Sequence, residues 1–196
     1  MTRAALLLPL ACLTGCVPWT VRPLENGTGA SQRKFDAGRY ADDIWAAKLL
    51  PAVDQAALDL RGLLSRGALK PGSHLAVRGA AVALDVSLAP PSGKLVLDLL
   101  PPDGRADALL QTGPEMRGTS LRDATAVVPF SQFVNQIDFA NAATELNRRA
   151  VRVLPPPAEL EKAKGRKLEF TGTFAVVAGE PPSIVPVRFR WAGDAQ

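Results

Sequence analysis

The densest cluster of reactive side chains lies in the stretch Gly113-Pro114-Glu115-Met116-Arg117-Gly118-Thr119-Ser120-Leu121-Arg122-Asp123. Arginine forks grip carboxylates or phosphates through paired N–H groups. Glycine-rich turns can aim backbone N–H groups at an anion. Two arrangements satisfy these residue types. Arg117, Thr119, Arg122 and Asp123 line a site for a small polar ligand or a partner, or an arginine pairs with Asp123, Asp36 or Asp98 and holds the loop down. Structural ion pairs are the commoner outcome. A second polar group, Asn135-Gln136 with Asn141, either satisfies backbone groups near Asp138 or joins the same pocket.

Equipment for catalysis is sparse. His74 is the single histidine and reads as a solvent-facing residue at a strand edge. No serine sits in a Gly-x-Ser-x-Gly elbow, no Cys/His spacing suits zinc, and no glycine run has the phosphate-loop form. The sequence therefore predicts no catalytic residue, no metal and no cofactor. Paired carboxylates in an envelope hydrolase are the remaining catalytic reading.

Cys16 carries a different chemistry. Arg3 precedes the apolar run Ala4–Ala11, and Leu13-Thr14-Gly15 leads into Cys16. A charged start, a short greasy core and small residues before a cut form a secretory signal. A cysteine directly after Leu-Thr-Gly resembles the lipobox of bacterial lipoproteins. Cys16 would then carry a diacylglycerol and an amide-linked acyl chain such as palmitate, which suffices for stable anchoring. The run is far shorter than the roughly 20 residues that cross a bilayer. Cys12 leaves with the signal, so no internal disulfide can form. Val17, where an aspartate would favour inner-membrane retention, points to the outer membrane.

The composition fits a protein of the envelope. A net charge of +4, scattered in pairs such as Arg148-Arg149 and Arg166-Lys167, gives no patch for nucleic acid. Signal 1–15, tether 16–34 and one globular domain 35–196 divide the chain.

The elements that must position these residues follow from periodicity. Ile44, Trp45, Leu49, Val53, Leu60 and Leu63-Leu64 predict an amphipathic helix over 40–65, broken after Leu49 by Pro51, with Tyr40 and Trp45 in the core. Residues 75–84 predict a strand whose phase slips at Gly79, as a bulge would produce, with Ala80, Val82 and Leu84 inward thereafter. Residues 94–100 and 106–112 predict two further strands, joined by the turn Pro101-Pro102-Asp103-Gly104. Residues 126–128 suggest a short strand. Phe130, Phe133, Val134 and Ile137 recur at helical spacing through to Val151, with Asp138 as a cap. A hairpin closes the chain: Leu168, Phe170, Gly172, Phe174 and Val176 on one face, then Val185, Val187, Phe189 and Trp191 inward, with Arg188, Arg190 and an edge-marking Pro186 outward.

Three strands, a helix, then two strands is the order of an OB-like five-stranded barrel. The predicted class is α+β, mainly β, with a helix between strands three and four plugging one end and an extra N-terminal helix outside. An open α+β sheet is the alternative.

Phe35-Asp36 with Tyr40 and Ile44-Trp45, then Gln111-x-Gly113-Pro114-x-x-Arg117-Gly118-Thr119-x-Leu121-Arg122-Asp123-Ala124, then Phe130-x-x-Phe133-x-Asn135-Gln136-Ile137 with Leu146-Asn147, resembles a family of bacterial periplasmic lipoproteins of unknown function. Thr112 stands where that pattern would have an aliphatic residue. The resemblance implies a β-barrel-like domain with helices, and a neighbourhood of ABC transporters for simple sugars. It assigns no catalytic residue. The combined expectation is a lipid-anchored accessory or binding protein of the envelope. Its partners would be the membrane, through Cys16, and ABC transporter components or a small polar ligand. A structural scaffold without a ligand is the alternative.

Overall fold

Asp36 starts the first helix, α1 (Ala37–Ile44), by accepting a hydrogen bond from the Arg39 N–H at 2.9 Å. The helical path does not break at Pro51. It widens into a π turn at Trp45–Leu49, closed by the Leu50 N–H on the Trp45 carbonyl, and continues as α2 (Leu50–Ala56). A proline lacks an N–H and crowds the carbonyl four residues back. A π turn just upstream gives that ring room without ending the helix. The path does end at Ala57, short of the expected limit. A two-residue strand, β1 (Leu58–Asp59), comes next, then α3 (Leu60–Ser65), capped by Asp59. This computed structural model describes residues 34–67 and 69–193. The signal segment, Cys16 and the tether up to residue 33 lie outside the described residues.

Five strands close into a barrel. They are β2 (His74–Ser87), β3 (Ser92–Leu99), β4 (Ala108–Pro114), β5 (Lys167–Ala175) and β6 (Ser183–Trp191). The order is β2-β3-β4-β6-β5, closed by antiparallel β5–β2 pairing, with β4 parallel to β6 and β1 added beside β2. Between β4 and β5 run α4 (Ser120–Asp123), a 3₁₀ turn at Phe130–Gln132, α5 (Gln136–Val151) and α6 (Pro157–Leu160). The open-sheet alternative is thereby excluded.

Several sequence expectations are corrected. The β2 bulge lies at Leu84, because Ala83 pairs with Leu97 and Asp85 with Val96; Gly79 stays in register opposite Phe170. Ahead of the bulge, Val77, Ala81 and Ala83 fill the barrel core, and Ala80 and Val82 face out. A side chain at Gly79 would strike the Phe170 ring, with Cβ 3.0 Å from Cζ. In β6 a register shift leaves Val187 unpaired, so the face changes. Ile184, Phe189 and Trp191 enter the barrel core, whereas Val185 and Val187 join a second core. Pro186 is buried opposite Gly172 and does not mark an outer edge. No strand forms at 126–128. The 3₁₀ turn replaces the expected helical start, and α5 begins only at Gln136, where Asn135 supplies the cap to the Asp138 N–H at 2.8 Å. Thr112 is the unpaired residue of a shift in β4 and is buried.

The second core explains why α5 does not plug the barrel. Its Ala142, Leu146 and Ala150 pack with Ile44, Leu49 and Val53 of the first helices against Val185 and Val187. The barrel core instead receives Leu160 and Ala163 from the α6 connection and Leu60 from α3. Tyr40 joins a ring cluster with Phe35 and Phe133, and Trp45 packs at the margin of the second core.

Candidate functional site

The 113–123 loop is pinned from two sides. Gln111 accepts the Arg117 N–H at 2.6 Å and donates to the Arg117 carbonyl at 3.3 Å. Asn147 of α5 donates to the carbonyls of Met116 and Gly118, at 3.3 and 2.9 Å. Ser120 and Thr173 share a buried hydrogen bond at 3.0 Å, which fixes α4 to β5. Arg122 spends its fork on Asp123, with Nε–Oδ1 at 2.6 Å and Nη2–Oδ2 at 2.9 Å, and lies 3.6 Å above the Phe139 ring. Thr119 donates to Asp123 at 2.5 Å, and His74 Nε2 lies 3.8 Å from the same carboxylate. Of the two arrangements the sequence left open, the ion pair is the one adopted by Arg122. The Arg117 side chain is exposed. Asn135 is committed to its helix cap, and Gln136 and Asn141 are exposed, so none of them shares a pocket with the loop.

Asp123 makes this cluster sensitive to acid. Burial alone would raise its carboxyl. Hydrogen bonds from Arg122 and Thr119, with the positive charges of Arg122 and His74, outweigh burial and hold it below the ordinary carboxylate range. A lowered carboxylate stabilises the fold above its unfolded value of about 3.9. That stabilisation is lost as pH falls through the folded value. The stability gap between the wild type and Asp123→Asn is expected to be full above about pH 5 and to close in stronger acid. Urea unfolding across that range checks it; a gap independent of pH would contradict the pairing.

A cleft lies elsewhere, on the outer face of β2, β5 and β6. Its volume is about 850 Å³. Strand register builds it from two rows. One runs Asp59, Arg78, Thr171, Arg188; the other runs Ala80, Glu169, Arg190. Asp54 of α2 holds Arg188 through 2.9 and 2.6 Å hydrogen bonds, which raise its pKa and keep it charged. Glu169 holds Arg190 at 3.0 and 2.6 Å. Among the described residues Arg78 makes no side-chain hydrogen bond, and it is exposed. Leu50 and Val153 give the cleft apolar walls. The outward Arg188-x-Arg190 alternation was legible in the sequence. Their meeting with Arg78 was not, because it depends on register between strands about a hundred residues apart.

A family model described as predicted periplasmic lipoprotein (DUF2291) matches residues 6–190. The chain belongs to this family. The match takes in the whole barrel, and membership makes the protein a periplasmic lipoprotein, which implies anchoring to a membrane. The family description assigns no activity. No protein of curated function matches the chain. Among solved structures, an OB-fold protein from Thermotoga maritima superimposes with a TM-score of 0.62 at 18% identity, covering 80% of this chain and 98% of its own. At that identity the likeness concerns the fold alone: the lipoprotein carries an OB-type barrel.

Proposed function

We propose that this lipoprotein is a non-catalytic accessory of the cell envelope that binds a small anionic, hydroxylated ligand in the cleft of β2, β5 and β6. The single observation behind this reading is the exposed Arg78 facing two arginines already oriented by Asp54 and Glu169. Each held arginine spends Nε and Nη2 on its carboxylate, which leaves Nη1 for a ligand. Charged donors that are fixed beforehand bind with little ordering cost. The apolar walls suit the carbon face of a sugar acid or sugar phosphate. This ligand class agrees with the sugar uptake transporters that the family resemblance implies as neighbours. Lipidation at Cys16 and an outer-membrane location, favoured by Val17, complete the reading. The 113–123 loop is then a brace for the fold, because Arg122 and Asp123 are spent on each other.

A thermal-shift screen of sugars, sugar acids and sugar phosphates tests it. At least one acid is expected to stabilise the protein, and Arg78→Gln is expected to weaken its binding about tenfold or more, the scale of one charge-assisted hydrogen bond. A screen without any shift, or binding lost in Arg117→Gln and kept in Arg78→Gln, would overturn the assignment of the cleft.

A further inference from the structure

Among the described residues five large apolar side chains are exposed, and three of them fall within one stretch of eight residues. Phe130, Val134 and Ile137 are 49%, 83% and 71% exposed. The stretch is well held. Backbone bonds from Gln132 to Pro129 and from Phe133 to Phe130, at 3.1 and 3.0 Å, form the turn, and the Asn135 cap fixes the start of α5. Beneath it runs a contiguous set of rings: Phe130 on Phe139 at 5.2 Å, Phe139 on Phe133 at 5.2 Å, and Phe133 on Phe35 at 5.3 Å. Phe35 is the point at which the barrel domain joins the chain that runs back to Cys16.

We infer that Phe130, Val134 and Ile137 form a bilayer-contact surface that seats the barrel domain on the phospholipid interface carrying its anchor. The chain between Cys16 and Phe35 reaches at most about 65 Å, at about 3.5 Å per residue. The apolar patch lies beside the end of that chain. A surface held within that reach of the bilayer needs only a weak contact to settle on it. Three side chains are too few for a stable protein interface, which takes about 800 Å² from each partner. They are enough for a shallow contact, with Asn135, Gln136 and Asp138 around them at headgroup depth.

This inference rests on lipidation at Cys16, and its test separates the two. In the anchored protein Cys16 is blocked and Cys12 is gone, so Val134→Cys offers a single thiol for an environment-sensitive fluorophore. Val177→Cys, at an exposed position near the β5–β6 turn, is the reference. The lipidated protein is placed in vesicles of phosphatidylethanolamine and phosphatidylglycerol that carry a lipid spin-labelled near the top of its acyl chain. Quenching at position 134 is expected to exceed that at 177 by about threefold or more, the mark of an apolar side chain at the headgroup boundary. Equal, weak quenching in protein that floats with the vesicles overturns the contact surface while leaving the anchor intact. A blue-shifted, unquenched label at 134 that persists without vesicles would place a second protein copy there and would equally overturn the bilayer assignment.

Discussion

Gly172→Ala should cost the barrel about 3 kcal/mol, the upper end of the usual overpacking penalty. The position shows why. A Cβ there would lie 2.5 Å from the Val185 carbonyl oxygen, 2.7 Å from Ile184 Cγ2 and 3.1 Å from the Pro186 Cα. Two of the three obstacles are backbone, which cannot rotate away as a side-chain tip can. Relief requires β5 and β6 to part where their register already shifts at Val187. That shift is also what sends Val185 and Val187 into the second core while Phe189 and Trp191 stay in the barrel. Prising the strands apart therefore loosens both cores at once. For a domain of this size the loss corresponds to a fall of about 10 °C in Tm. Calorimetry on the purified protein checks it. A change within a degree or two would mean that β5 and β6 approach less closely than the register requires.

The same residue illustrates how much of the fold the sequence discloses. Alternation in β5 was plain, because one face of that strand meets large barrel-core residues throughout: Leu168, Phe170 and Phe174. The phase of β2 was not, because Ala76 belongs to the second core while Val77, Ala81 and Ala83 belong to the barrel. The outward Ala80 and Val82 are as apolar as the inward Ala81 and Ala83, so past Arg78 no polar face reports the phase. For β6 the inward set was half right for the same reason, with valines on one side and Ile184, Phe189 and Trp191 on the other. The start of α5 misled by pattern. Val134 and Ile137 have helical spacing, but they point to water, and Asn135 between them is the true cap. A periodic apolar signal marks burial only if some other element covers it, and none of the described elements covers these two.

The candidate site was legible in its chemistry and not in its place. The polar loop stood out because Arg117 to Asp123 are consecutive; its tight pairing of Arg122 with Asp123 is a consequence of that closeness. The cleft draws Arg78, Glu169 and Arg190 from three strands. No local motif announces such a set. Barrel closure assembles it, and only alternation within β6 hinted that two of its arginines share a face.

Arg149→Met is the substitution that most directly tests how α1 is fastened to α5. Arg149 is 6% exposed, with its Nε and Nη2 on Asp42 at 2.9 and 2.7 Å. Nη1 reaches the Glu145 carbonyl at 2.8 Å and Nη2 the Gly38 carbonyl at 2.5 Å. One guanidinium therefore ties α5 to α1 through both a carboxylate and a backbone acceptor. Methionine keeps much of the volume but takes the guanidinium from the Glu145 and Gly38 carbonyls, while the Glu145 carboxylate keeps Arg148. Losing these charged hydrogen bonds to backbone carbonyls costs about 3 kcal/mol. The Asp42 side chain, in contrast, is 66% exposed and can turn to water. Asp42→Asn should then cost under about 1 kcal/mol, as an exposed pair does. The asymmetry decides between two accounts of the same contact. If the ion pair itself carried the attachment, the two variants would be equally damaging. If Arg149 acts chiefly as a buried donor to backbone carbonyls, only its own loss unfastens α1, and hydrogen exchange across Ala37–Ile44 would rise in Arg149→Met while staying near wild type in Asp42→Asn.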